Sequence, residues 1–77
     1  MAEREERAVM NGYRLLLASS VGDRDGMSME LDTDDGEQIA EVFEDADTRQ
    51  RTVRFFVTSP VPLEAVEWLL AASASDL

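Results

Sequence analysis

A chain of 77 residues, 44% of them apolar, can enclose one hydrophobic core and no second domain. It has no cysteine, no histidine and no lysine, all seven bases being arginine, which excludes disulfides, thiolate or imidazole metal sites, cysteine nucleophiles and Ser–His or Ser–Lys catalytic pairs. Seventeen acids against seven bases give a net charge of −10, a field that repels phosphate backbones and anionic lipid and favours a basic protein partner.

Residues Met1 to Asn11 open with Glu3, Arg4, Glu5, Glu6 and Arg7 and offer little to bury. They read as a flexible N-terminal tail, frayed or forming a short helix, ahead of a single domain over residues 12–77. Charge this early in the chain does not suit a secretory leader, and no apolar run reaches the roughly 20 residues that span a bilayer, so a cytoplasmic location away from membranes is expected. Tyr13, Leu15 and Leu17 alternate with Leu16 and Ala18 as in a strand covered on both faces. Val21-Gly22-Asp23-Arg24-Asp25-Gly26 carries turn chemistry and reads as a loop.

From Met27 to Thr33 the alternation is regular, with Met27, Met29 and Leu31 facing a core and Ser28, Glu30 and Asp32 facing water. Asp34-Asp35-Gly36 then signals a hairpin, and Glu37–Glu44 reads as the return strand with an untidy alternation. Thr52–Thr58 reads as a strand with Val53, Phe55 and Val57 inward. Ser59-Pro60-Val61-Pro62 ends it, and a helix is predicted from about Pro62 to Ala74, with Leu63, Val66, Leu69 and Leu70 on the arc that meets the sheet. The predicted fold class is α+β: a four-stranded antiparallel β-meander with one C-terminal helix packed on one face.

Two surfaces emerge as candidates for function. Between Asp25 and Asp47 lie ten acids and no base, so Glu30, Asp32, Asp34, Asp35 and Glu37 form an expected acidic surface on the central hairpin. Alternate residues of a strand stand about 6.6 to 6.8 Å apart, so an outward row of Ser28, Glu30 and Asp32 would imitate successive phosphates of a nucleic acid. A calcium loop fails, because neither register around Gly26 or Gly36 starts on a carboxylate, although Asp32, Asp34 and Asp35 could gather a weak site. The second surface is apolar: Phe56 and Trp68 point away from the predicted inner faces and, with Arg54, form an expected interface that a homodimer would cover.

No Gly-rich phosphate loop is present, and a domain this small has little room for a cleft that would tune paired carboxylates, so neither a cofactor nor an enzymatic activity is expected. The composition points to a small acidic protein-binding module that associates with or neutralises a basic partner protein, in the manner of an immunity protein, antitoxin or inhibitor. A structural or accessory protein that homo-oligomerises through its apolar-aromatic surface is the alternative. Nucleic-acid binding by a dimer that gathers Arg49, Arg51 and Arg54 into one patch is the third.

Overall fold

The computed structural model describes residues 3–10, 12–20 and 25–77, apart from the side chains of Glu3 and Ser20. Strands β1 (Glu3–Met10), β2 (Tyr13–Ser20), β3 (Gly26–Thr33), β4 (Gln38–Asp45) and β5 (Arg51–Phe55) precede helix α1 (Leu63–Asp76). The strands pair antiparallel in chain order, a meander, and α1 packs on β3 and β4. The α+β antiparallel fold with a C-terminal helix is therefore as expected, but the sheet has five strands instead of four.

The additional strand is the segment expected to fray or to make a short helix. β1 pairs with β2 from Glu3↔Ser19 to Met10↔Tyr13, with a bulge between Glu6 and Ala8. Its charges conceal the alternation. Ala8 and Met10 lie opposite Leu15 and Tyr13 on the helix side of the sheet, and Arg4 on the other side pairs with Glu30 at 3.3 Å. Arg7, at the bulge, reaches Asp76 of α1 at 3.8 Å. Residues 1, 2 and 11 of the expected tail, and residues 21–24 of the expected loop, lie outside the described residues.

The hairpin at Asp34-Asp35-Gly36 forms where its sequence directs. Gly36 N donates to Thr33 O and Glu37 N donates to Thr33 Oγ1, while Gly36 takes a φ of 92° that favours glycine. The untidy alternation of β4 has a local cause: Leu31 faces Ala40 and Asp32 faces Gln38, so Ile39 is the extra residue of a bulge. At the far end of β3, Gly26 is closely covered by the Phe43 ring and the Glu44 carbonyl, which leaves no room for a Cβ.

The core joins Leu15, Met29, Leu31, Ala40 and Val42 of the sheet to Ala65 and Leu69 of the helix. Along α1 the buried residues are Ala65, Leu69 and Ser73. This stripe is rotated by roughly 70° from the arc of Leu63, Val66, Leu69 and Leu70 expected to meet the sheet, at 3.6 residues per turn. Small residues suit this choice: Ala65 joins the core cluster with little bulk, and the buried Ser73 hydroxyl is satisfied by donating to Leu69 O at 2.7 Å. The apolar arc is left turned to one side.

Candidate functional site

Side assignments on α1 follow from two contacts. Asp76, which shares its side of the helix with Trp68 and Ala72, reaches Arg7 of β1. Leu70 and Ala74, on the other side, face Thr52 and Val53 of β5 across a cleft of about 270 Å³ with Val42 and Ser73 at its base. The helix does not extend over β5, so the face of that strand expected to be buried stands open. Val53 is 51% exposed and Phe55 48%, and the helix arc beside them exposes Leu63 at 71% and Leu70 at 49%. Val53 and Phe55 as inner-face residues is thus corrected, while Val57, beyond the strand, is partly buried against the core.

Val53 and Leu70 thus face each other across an apolar groove between an edge strand and a helix flank, with Phe55 exposed farther along the same strand and Leu63 at the start of the same helix. Sequence reasoning missed it, although one signal was present: from Leu63 to Ala72 only Glu64 and Glu67 are polar, so α1 carries more apolar surface than one sheet face can cover. At one end of the groove Arg51 Nη2 donates to Leu77 O at 2.8 Å, and Arg51 Nε donates to Glu44 Oε2 at 2.9 Å. Arg49 also approaches Glu44, at 3.4 Å. Arg49 and Arg51 are thereby engaged within the chain.

The expected interface trio is not brought together. Arg54 and Phe56 are exposed on the β5 side, with Arg54 opposite Glu41 in register. Trp68 lies on the opposite flank of the helix and is half-buried against the core, because the rotated helix turns it down toward the β1 side.

The acidic surface divides in two. Asp34, Asp35 and Glu37 are exposed at the hairpin tip as expected. Glu30 and Asp32 are not part of a water-facing row: they are 4% and 5% exposed on the sheet face away from α1, with Ser28 and Glu41 also buried there. Five strands explain this, since β1 and β2 flank the row that a four-stranded sheet would have left near its edge. Arg4 lies over Glu30, and Arg14 of β2 is opposite Asp32. A phosphate-like row of Ser28, Glu30 and Asp32 is therefore not presented.

Burial chiefly raises the Glu30 carboxyl above its ordinary value of 4.5; Asp32 and Glu41 push the same way and Arg4 opposes. Burial likewise raises Asp32 above 3.8, against Arg4 and Arg14. Among the described residues Arg14 Nε and Asp32 Oδ1 are buried without a hydrogen-bond partner, while Glu30 Oε1 is met by Arg4 Nε at 3.3 Å. Among the described residues no group of three or more acidic side chains is arranged to hold a metal ion, so Asp32, Asp34 and Asp35 do not assemble the weak site considered for calcium. No helix among them is long and apolar enough to cross a membrane. No protein-family model matches the chain, and neither a curated protein nor a solved structure shows significant similarity to it.

Proposed function

We propose that this chain is a small cytoplasmic protein-binding module, without enzymatic activity, whose binding surface is the groove between β5 and α1. The observation that carries this reading is the cleft across which Val53 and Leu70 face each other, both about half exposed, with Phe55 and Leu63 exposed on the same strand and helix, while Ala65, Leu69 and Ser73 occupy the helix–sheet contact. Exposed apolar side chains that line a groove are suited to meeting another polypeptide. The absence of cysteine, histidine and lysine from the chain supports binding over catalysis.

The test is a photo-activated cross-linker placed at Phe55 and, separately, at Asp47 in the exposed β4–β5 turn, in cells producing the full chain. A discrete polypeptide adduct from position 55, absent from position 47 and lost on Leu70→Glu, is the expected result. No adduct from position 55 overturns it.

A basic partner held at the hairpin tip is a second reading, supported by the exposed Asp34, Asp35 and Glu37 and by the net charge. It predicts an adduct from position 35 that disappears as salt is raised.

A further inference from the structure

The two edges of the sheet are built differently. β1 carries Glu3, Arg4, Glu5, Glu6 and Arg7 and is broken by a bulge, features that discourage strand addition. β5 pairs with β4 without a break, and the apolar groove runs along it. From Thr48 to Leu63 the chain has three arginines and no carboxylate, so along this edge two copies of a chain of charge −10 can approach without acid facing acid.

The hydrogen-bond alternation of β5 determines which of its groups are available. At the two ends of the β4–β5 ladder Asp45 N donates to Gln50 O and Phe56 N donates to Ile39 O. The register between them is unbroken, so residues 50, 52, 54 and 56 bond to β4, and the N–H and C=O groups of Arg51, Val53 and Phe55 point to the free edge.

We propose that the occupant of the groove is a second copy of this chain, docked by antiparallel β5–β5 pairing about a two-fold axis at Val53. The inference rests on the binding reading above. Val53 faces its own counterpart, Arg51 faces the partner copy's Phe55, and all the outward-pointing groups of Arg51, Val53 and Phe55 find partners in a ten-stranded sheet. No like charges are directly opposed: Thr52 faces Arg54 on the far side, and the Arg51 guanidinium meets an aromatic ring. With each helix over β3 and β4, the two α1 axes stand about four strand spacings, roughly 19 Å, apart. Directly packed helices approach to about 8–10 Å, so a trough separates the two. Val53 and Phe55 of both copies fill it, walled by Leu63 and Leu70 of each.

The experiment is sedimentation equilibrium of the full chain from about 1 to 500 µM, a range suited to an interface near the low end of specific association. Wild type is expected to form a dimer. Val53→Pro removes an N–H that points away from β4, a change edge strands tolerate, and should weaken dimerisation at least about tenfold while the far-UV circular dichroism of the monomer is unchanged. Leu70→Glu, at an exposed helix position, should do the same if the proline disturbs folding, and Glu5→Gln on β1 should have no effect. A wild type that remains monomeric, or a dimer indifferent to both variants, overturns the two-fold pairing. The binding reading is judged independently by the adduct from position 55: the mass of another protein there retains the groove as a binding surface and removes the second copy as its occupant.

Discussion

Arg51 Nη2 donates to the backbone oxygen of Leu77 across 2.8 Å, fastening the edge strand β5 to the last turn of α1. With the same side chain bonded through Nε to Glu44, one guanidinium holds β4, β5 and the helix end in a fixed relation. It stands at one end of the groove.

Replacing Arg51 should therefore cost more than a lone surface ion pair. Arg51→Ala is expected to destabilise the monomer by about 1 kcal/mol in urea denaturation, the net worth of one or two exposed charge-assisted hydrogen bonds. Arg51→Lys should restore less than half of this, because an ammonium cannot reproduce the guanidinium fork. Full recovery by lysine would show that only the charge matters.

The rotation of α1 separates neighbouring leucines. Leu69 is fully buried whereas Leu63 is 71% exposed. Leu69→Ala should cost about 2–5 kcal/mol, and Leu63→Ala less than about 0.5 kcal/mol, when both are measured at concentrations low enough to keep the chain monomeric. Equal costs would mean that the helix sits on the arc first read from its sequence.

Glu30 and Asp32 give stability a definite dependence on pH. Their folded pKa values lie above the ordinary 4.5 and 3.8, so the folded chain binds these protons more tightly than the unfolded chain does. The stability they contribute is fully present below those ordinary values and is lost as pH rises through the folded ones. The denaturation midpoint should fall as pH rises above those ordinary values. Glu30→Gln should flatten that decline more than Glu67→Gln, an exposed control that reports general charge repulsion. Asp45 acts in the opposite sense. The backbone N–H groups of Thr48 and Asp47 hold its carboxyl below 3.8, so its contribution is present above that value and fades as pH falls through the folded one.

Arg49 occupies the left-handed region at φ 64° in the β4–β5 turn. Its contact with Glu44 is long and highly exposed, so little is lost by removing the side chain. Arg49→Gly is expected to stabilise the chain by up to about 1 kcal/mol in thermal or urea unfolding, since glycine adopts this conformation without the Cβ clash. A decrease would show that the arginine pair outweighs the backbone strain.

Much of the architecture was legible residue by residue. The alternation of Met27, Met29 and Leu31, the Asp35-Gly36 turn and the Pro60–Pro62 break before an apolar helix are local features whose physics acts within a few residues, and each appears in place. β1 was not legible because Arg4 and Arg7 draw their value from Glu30 and Asp76, both more than 20 residues away in the chain. The candidate surface was harder still. Glu30 and Asp32 alternate outward in sequence, yet whether outward means water depends on how many strands flank them.

The sequence by itself determined the class of fold, the acidity and the lack of thiolate, imidazole and amine chemistry, because these depend on composition and short-range periodicity. Only the tertiary structure decided which face of α1 meets the sheet and which edge of the sheet stays open. A helix that is apolar around most of its circumference can bury only one side, and in the folded chain that side is Ala65, Leu69 and Ser73. Leu63, Leu70, Val53 and Phe55 are left exposed, with Val53 and Leu70 facing each other across the groove, although nothing in their own spacing marks them as a surface.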